Sequence, residues 1–460
     1  MPTAEHPSPN RSPTHARRLP RGQSAAALLL LVALEAIFLY VARLRDLSLH
    51  VIGFIALALA AGVVYFIALY ALEHLGDSRA GFFLVLLGAL AFRLTLLPLA
   101  PTLSTDLYRY RWDGQAQAAG WNPYSVRPDD PRLASLRAAS GDGWQLMPAH
   151  ELPTVYPPLV ELVFRATWRV LPGPVGFKLP FVLADLAVVG MLGFWVRKTG
   201  QRTARLAIYA WNPLVIIEFA GSGHNDSLAV AAMVASILII RRRPIVSTMA
   251  LAAGAMAKFF PAALLPVWIV RAGWPKRARG WISAATAAAV GAACAWPYRA
   301  AASDFARTMR AYYLPAWQNN NASIYSVLRW ISGSHGFAVV AGRVVVACLA
   351  LWLAARKAEP ERAAFLVVGA ILLFAPNGYP WYFTWIVPLL CFYPSTAWLL
   401  LTVLLCLSYN VLIPYRILGE WRFDRTLQWL TYAPFFALLI AQLFWRRTET
   451  LDAPPAGEIS

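Results

Sequence analysis

Uninterrupted apolar stretches are the feature that most limits how this chain can fold. Residues 24–43 and 50–72 are two of them, and each reaches the roughly 20 residues that a helix needs to cross a bilayer. Only 14% of the 460 residues are charged, against about a quarter in an ordinary soluble domain. The apolar runs also lack the alternation that is typical of membrane barrel strands. The sequence therefore predicts an all-α, polytopic transmembrane helical bundle.

The apolar stretches divide the chain into candidate spans, several of which are short for a full crossing. These spans are residues 24–43, 50–72, 80–98, 176–196, 203–220, 227–240, 244–257, 260–271, 279–296, 336–355, 362–375, 381–394, 396–414 and 427–445. Residues 158–171 are interpreted differently, because Glu161, Arg165 and Arg169 recur every four residues and form a charged stripe. This segment is predicted to be an interfacial or re-entrant helix that packs on the outer side.

Basic residues in the short loops predict the orientation of the bundle. If the N-terminus lies in the cytoplasm, the loops that contain Arg197, Arg241, Lys276 and Arg356 fall on the cytoplasmic side. This distribution accounts for the net charge of +18 without a nucleic acid partner. The predicted organisation is a disordered basic cytoplasmic tail at 1–23, a transmembrane domain at 24–445 with a long outer loop at 99–157, and a cytoplasmic tail at 446–460.

The outer loop opens with STDLYRYRWDG, residues 104–114, in which charged and aromatic residues are crowded. Ser104 or Thr105 can cap a helix that covers 105–117. One face of that helix then presents Asp106, Arg109, Tyr110 and Asp113, of which the last three are candidate substrate-binding residues.

The two aspartates of this face lie about 10 Å apart along the helix axis, so they cannot easily hold the same substrate atom. A helix N-terminus favours ionised Asp106, which could accept a proton from an attacking hydroxyl. The alternative is a solvated helix start in which Arg109 and Asp113 form an intrahelical salt bridge.

Further polar candidates fall in the other predicted outer loops. Sugar or phosphate binding is one interpretation, and helix capping, snorkelling lysine and an interfacial aromatic belt are the alternatives. The candidates are His224, Asn225 and Asp226 in one turn, Lys258, Asn320, Tyr379 and Trp381, and Arg422 as a possible anion contact. Glu218 lies one turn before the same edge, whereas Asp185 lies in mid-span and is predicted to make an interhelical hydrogen bond.

Several stretches, in this order, resemble the membrane-embedded GT-C glycosyltransferases, and most closely glycosyltransferase family 87 and its relatives, which use polyprenyl-phosphate-linked mannose. They are STDLYRYRWDGQAQAAGWNPY from residue 104, DDPRL at 129–133, PTVYPPL at 153–159, GHNDSLAV at 223–230, KFFPAALLP at 258–266 and PWYFTWIVP at 380–388. The resemblance covers residues 80 to 395 or so.

The resemblance implies transfer of a hexose, by inference mannose, from a polyprenyl-phosphate donor to a hydroxyl of an envelope glycan or glycolipid. The reaction is expected on the outer face of the cell membrane, usually with inversion, and Asp106 corresponds to the general base. Membrane lipids are the other expected partner. No metal or cofactor is predicted, and a divalent cation is left open. Relatives often have a second acidic residue where this chain has Thr105, so a pair that binds a metal or a sugar in relatives would be missing here.

Two rival interpretations remain open from the sequence. A transporter or flippase of lipid-linked sugar is the first, although it would place polar residues near the midplane on broken helices. A non-catalytic scaffold of an envelope complex is the second, and it would tolerate loss of Asp106. The four cysteines have spacings that indicate neither a disulfide framework nor a metal site.

Overall fold

A computed structural model describes residues 21–74, 78–313 and 320–451. The predicted tails therefore lie mostly outside the described residues. Helix α1 already begins at Arg21, and the last helix continues to Leu451, inside the predicted C-terminal tail. Apart from an isolated bridge between Asn320 and Asn377, the regular structure of the described residues is helical. The predicted all-α architecture is confirmed.

The first part of the bundle consists of three long helices, with α1 packed on both of the others. They are α1 (Arg21–Arg43), α2 (Val51–His74) and α3 (Arg79–Leu96). The long loop that follows contains α4 (Asp106–Ala118), a 3-10 turn (Pro131–Leu133), α5 (Ala134–Ala139), α6 (Asp142–Leu146) and α7 (Pro158–Val170).

Fifteen further helices complete the described chain, and several are joined by 3-10 or π-helical turns. They are α8 (Pro174–Thr199), α9 (Thr203–Ala210), α10 (Pro213–Ile216), α11 (Asp226–Ile239), α12 (Pro244–Ala257), α13 (Leu265–Arg271), α14 (Ala278–Ala295), α15 (Ala302–Tyr313), α16 (Ile324–Ser332), α17 (His335–Ala355), α18 (Pro360–Phe374), α19 (Val387–Phe392), α20 (Thr396–Leu404), α21 (Leu412–Leu418) and α22 (Arg425–Leu451). The 3-10 turns are Phe260–Leu264, Trp296–Ala301, Pro380–Trp385 and Leu405–Val411. The π-helical turn is Ile217–Gly221.

Six helical segments of the described chain are long and apolar enough to cross a membrane, which makes this a membrane protein. They are Ala25–Arg43, Val51–His74, Arg79–Leu96, Pro174–Thr199, His335–Ala355 and Thr396–Leu418. The predicted spans 279–296 and 427–445 form the continuous helices α14 and α22, and the remaining predicted spans form shorter or interrupted helices. The predicted span 203–220 is interrupted because the Asn212 side chain accepts hydrogen bonds from the Leu214 and Val215 amides and so starts a new helix at Pro213.

The predicted interfacial helix forms as α7 and packs against α4. The predicted charged stripe is wrong at Glu161, whose side chain is fully buried. It accepts a hydrogen bond from the Thr154 hydroxyl at 2.6 Å and another from the Gln117 amide at 2.7 Å. Burial, and then the nearby Asp113 carboxylate, raise the pKa of Glu161 well above its ordinary value. Glu161 therefore stabilises the contact between α4 and α7 and does not face the surface.

Hydrogen bonds and ion pairs bring the predicted outer loops together at one end of the bundle. The Leu47 amide donates to Thr102 at 2.8 Å, and Lys258 pairs with Asp226 across two other loops. The predicted cytoplasmic loops meet separately, as when Arg241 forms an ion pair with Glu361 at 2.5 Å. This separation matches the alternation of loops that the sequence predicts.

A buried ion pair joins two of the long helices. The Arg93 guanidinium on α3 donates to Asp185 on α8 at 2.5 and 3.0 Å, and Tyr209 donates to the same carboxylate at 2.8 Å. Arg93 also donates to the carbonyl oxygens of Ala89 and Ala210 at 3.0 and 2.9 Å. A charge in this apolar setting is costly unless it is paired. The predicted interhelical hydrogen bond of Asp185 is therefore confirmed, with Arg93 as its partner.

We expect Arg93→Met to lower the free energy of unfolding by about 3–5 kcal/mol, because Asp185 would keep a buried charge without its partner. The double variant Arg93→Met/Asp185→Leu should recover most of the loss, since neither charge of this pair remains buried. Unfolding in detergent micelles measures both, with the exposed Arg43→Met as the control. Equal destabilisation of the single and double variants would contradict this account.

Candidate active site

Helix α4 places Asp106 at its first position, at the end of the bundle where the predicted outer loops meet. The bounds of this helix, Asp106–Ala118, differ by one residue at each end from the predicted 105–117. Thr105 makes no side-chain cap, whereas Ser104 accepts a hydrogen bond from the Asp106 amide at 3.3 Å. The Asp106 side chain keeps 28% of its surface exposed. Asp106 is thus a carboxylate that a substrate can reach.

Arg109 and Asp113 form the predicted intrahelical salt bridge, with 3.0 Å between Nε and Oδ1. Both side chains are enclosed, at 5% and 2% exposure. The Arg109 guanidinium also donates to the carbonyl oxygens of Ala149 and Leu152 at 2.9 and 3.0 Å. The pair therefore fastens the far end of the outer loop to α4.

Tyr110 lies one turn after Asp106 and is fully buried. Its ring stacks on Phe164 of α7, with 4.6 Å between the ring centroids. Leu107 and Phe181 belong to the same apolar cluster. These contacts hold the first turn of α4 against α7 and α8.

The turn 222–227 faces Asp106, and its geometry depends on a glycine. Gly223 has φ +78°, and a Cβ atom there would lie 2.8 Å from Lys178 and 3.0 Å from Leu107. The turn continues the π-helical segment, whose carbonyl groups are not all used within the helix.

Lys178, which the sequence analysis did not single out, satisfies several of these carbonyl groups. Its buried ammonium donates to Leu99 at 2.5 Å and to Ala220 at 3.1 Å, and it also contacts the carbonyl oxygens of Leu97 and Gly221. It therefore joins the segment before α4 to the turn before His224. A lysine within the first turns of a predicted span was the signal that could have revealed it.

His224 is the residue that links Asp106 to the interior. Its Nε2 atom lies 4.0 Å from the Asp106 carboxylate, and its Nδ1 atom lies 3.0 Å from the carboxylate of Glu218. Tyr409, which the sequence analysis also missed, donates a hydrogen bond to the other oxygen of Glu218. Because Nδ1 faces a carboxylate, the imidazole is held with Nε2 directed towards Asp106.

An aromatic stack continues from His224. The imidazole lies parallel to Trp381 at 4.3 Å, and Trp381 lies parallel to Tyr379 at 4.5 Å. Asn320 donates to the Tyr379 hydroxyl at 2.6 Å and to Asn377 at 2.8 Å. Four of the predicted site residues, distant in sequence, therefore form one continuous chain of contacts that begins beside Asp106.

Lys258 and Asp226 form a second ion pair near the base candidate, with 3.0 Å between Nζ and Oδ2. Trp385 donates to the other oxygen of Asp226 at 2.7 Å, and the Lys258 ammonium lies 5.3 Å from the Tyr382 ring. The capping alternative for this turn is wrong, because neither Asn225 nor Asp226 caps α11 through its side chain. The Asp226 carboxylate is instead engaged by Lys258 and Trp385.

Several buried polar atoms around Asp106 have no hydrogen-bond partner among the described residues. They are Tyr110 OH, Glu218 Oε2, Ser222 Oγ, His224 Nε2, both amide atoms of Asn225, and Ser227 Oγ. Buried polar groups in folded proteins are nearly always hydrogen-bonded. This concentration of unpaired donors and acceptors is therefore suited to binding the polar groups of a ligand.

Arg422, the remaining candidate, is exposed and lines a different pocket with Asn321, Asn410 and Trp421. Across the described ranges, His, Cys, Asp and Glu side chains form no group of three or more that could hold a metal ion. The absence of a metal cofactor stays a prediction.

Burial raises the pKa of Asp106 above its ordinary value. The positive charges of His224 and Lys258 act in the opposite direction and favour the ionised carboxylate, whereas the Asp226 charge favours the protonated form. The protonation of Asp106 therefore depends on the neighbouring ion pair.

A comparison with protein families shows which class of protein contains this site. The family model for the N-terminal domain of alpha-(1->6)-mannopyranosyltransferases, the MptA_B family, matches residues 38–273, just over half of the chain. The chain belongs to this family. It is therefore a membrane mannosyltransferase, as the sequence resemblance predicts, and not a transporter.

The matched region includes Asp106, His224, Asp226 and Lys258, whereas Asn320, Tyr379 and Trp381 lie beyond it. Comparisons with curated proteins and with solved structures gave no significant match.

Proposed function

We propose that this mannosyltransferase takes mannose from a polyprenyl-phosphate donor and transfers it, with inversion, to a hydroxyl of a glycan or glycolipid. The active site is the cluster around Asp106, and Asp106 is the general base. The observation that carries the proposal is the difference among three clustered carboxylates. Glu218 and Asp226 are fully buried and engaged by internal partners, whereas Asp106 is partly exposed.

A site with one accessible carboxylate is suited to a reaction in which the acceptor hydroxyl displaces the phosphate directly. The acceptor oxygen attacks the anomeric carbon of the mannose while its proton passes to Asp106. The bond from that carbon to the phosphate oxygen breaks, and its electron pair leaves with the phosphate. Retention through a covalent intermediate would require a second carboxylate as nucleophile. Internal contacts occupy the two other carboxylates of the cluster, so one displacement with inversion is favoured.

Positive charge is available for the leaving phosphate. The Lys258 side chain is 16% exposed, and its positive charge acts on Asp106. A phosphate gains charge as the bond to the sugar breaks, and a fixed cation lowers the energy of that state. We assign Lys258 to the phosphate and the stack of Trp381 and Tyr379 to the sugar, whose C–H faces pack on aromatic rings.

The location of the site follows from chemistry and from loop charge. A lipid-linked donor supplies activated sugar where nucleotide sugars are absent, and the basic loops gather at the opposite end of the bundle. We therefore place the active site on the outer face of the membrane and both termini in the cytoplasm. We also propose that no metal takes part, because the carboxylates beside Asp106 are tied to protein partners.

Asp106→Asn should lower transfer by roughly a hundredfold or more, because the amide cannot accept the hydroxyl proton. The assay follows mannose transfer from polyprenyl-phosphate mannose in membranes, with matched protein levels. Asp304→Asn, an acidic residue on α15, is the control and should retain activity. Chelation of divalent cations should leave the unmodified enzyme active. Substantial activity in Asp106→Asn would remove this residue from the mechanism.

The pH dependence should respond in opposite directions to the two members of the Lys258–Asp226 pair. Asp106 works when it is ionised, so activity rises with pH through its raised pKa. Lys258→Met removes a charge that lowers this pKa and should shift the acidic limb of the pH–activity curve to higher pH. Asp226→Asn removes a charge that raises it and should shift that limb to lower pH.

Rates across the pH range, measured for both variants and for the remote Lys276→Met, test this scheme. Shifts in the same direction would indicate a structural disturbance, and unchanged limbs would show that another group titrates.

Cysteine labelling tests the orientation. In a variant without the four native cysteines, a cysteine that replaces Asp142, in the outer loop, should react with an impermeant maleimide in intact cells. A cysteine that replaces Arg242, at the opposite end, should react only after the membrane is opened. The reverse pattern would invert the proposed topology.

A further inference from the structure

A second concave site lies at the same end of the bundle, between the start of α21, the loop that leads from α21 into α22, and the segment that carries Asn321. Its volume is about 840 Å³. Small-molecule sites occupy roughly 300–1,000 Å³, so the pocket is large enough for a ligand of several rings. The lining residues are Asn321, Asn410, Pro414, Trp421, Arg422, Phe423, Asp424, Arg425, Thr426 and Gln428.

The lining combines planar polar groups with an aromatic ring. Asn321, Asn410 and Gln428 carry amides that both donate and accept hydrogen bonds. Trp421 is 41% exposed, and it makes edge contacts with Tyr415 and Phe423 that fix its orientation. Amides that bond hydroxyl groups, beside a ring that packs on C–H faces, are suited to a carbohydrate and unsuited to a hydrocarbon tail.

The charged residues of the pocket form no ion pairs with one another. Asp424 accepts hydrogen bonds from the amides of Thr426 and Leu427 at 2.7 and 3.1 Å, so it caps α22. Arg422 and Arg425 form no ion pair within the described ranges. Their guanidinium groups are fixed arrays of donors that sugar hydroxyls can use.

Two connections link this pocket to the active site. The Asn321 amide donates to the Gly378 carbonyl at 3.3 Å, and Gly378 precedes Tyr379 in the aromatic stack. A Cβ atom at Gly378 would lie 2.3 Å from the Asn321 carbonyl oxygen, so the two segments are in direct contact. On the other side, Asn410 follows Tyr409, which holds Glu218 and through it His224.

We infer that this pocket binds the sugars already present in an acceptor glycan while the terminal hydroxyl of that glycan reaches Asp106. The inference rests on the proposed function and adds a binding subsite, outside the Asp106 cluster, for the inner sugars of the acceptor. The lipid-linked donor approaches from the membrane, so a polar pocket next to the sugar stack is left for the acceptor. The enzyme should then use longer acceptors better than short ones.

The experiment compares a mannose monosaccharide acceptor with a mannose tetrasaccharide, each with the same polyprenyl-phosphate mannose donor. We expect the unmodified protein to have the higher kcat/KM for the tetrasaccharide. Trp421→Ala and Arg422→Ala should reduce the ratio of the two kcat/KM values by at least about fivefold, through the KM of the longer acceptor. The matched controls are Trp429→Ala and Arg416→Ala, which replace exposed residues that do not line the pocket.

Three results would overturn the inference. The first is an unmodified protein that shows no preference for the longer acceptor, and the second is a ratio that the two pocket variants leave unchanged. The third is that the pocket variants raise the KM for the donor, and raise it equally with either acceptor. That result would assign the arginines to the donor phosphate. Transfer to neither acceptor by the unmodified protein would instead refute the proposed function, and the inference with it.

Discussion

One buried ammonium holds together the two segments from which the candidate site is built. Lys178, near the start of α8, donates to carbonyl groups before α4 and to carbonyl groups at the end of the π-helical turn. An unpaired ammonium and unpaired carbonyl groups would both be costly in an apolar bundle, so each satisfies the other. Asp106 follows one of these segments and His224 follows the other, and their approach to 4.0 Å depends on this set of hydrogen bonds.

The same requirement, that a buried charge must have a partner, divides the charged groups of the molecule into two sets. Arg93 with Asp185, and Arg109 with Asp113, are enclosed pairs whose partners are protein groups. Asp226 and Glu218 are also buried, but their partners are Lys258, which is 16% exposed, and His224, which lies 4.0 Å from Asp106. These inner carboxylates therefore orient the groups that face a substrate, and the exposed carboxylate is left for chemistry. The unpaired polar atoms of the turn 222–227 lie at this boundary.

Sequence analysis predicted more of the fold and family than of the site. Apolar run length located the helices because a bilayer demands long helices with no exposed polar backbone. It could not predict the break at Asn212, where a side chain replaces backbone hydrogen bonds, nor the inward direction of Glu161. Tyr409 was missed because nothing in its neighbouring sequence differs from an ordinary span, whereas Lys178 had one signal, a lysine within a predicted span. Their importance comes from contacts with residues far away in the chain.

The sequence by itself determined that the chain is a membrane helical bundle, that its basic loops alternate with its longer polar loops, and that its motifs are those of a mannosyltransferase. These properties depend on composition and local order, which the bilayer and the family pattern constrain directly. Only the tertiary structure decided that Asp106, His224, Trp381, Tyr379 and Asn320 lie side by side. The physical reason is that their proximity is created by packing between helices, and by buried hydrogen bonds whose two partners are separated by many residues.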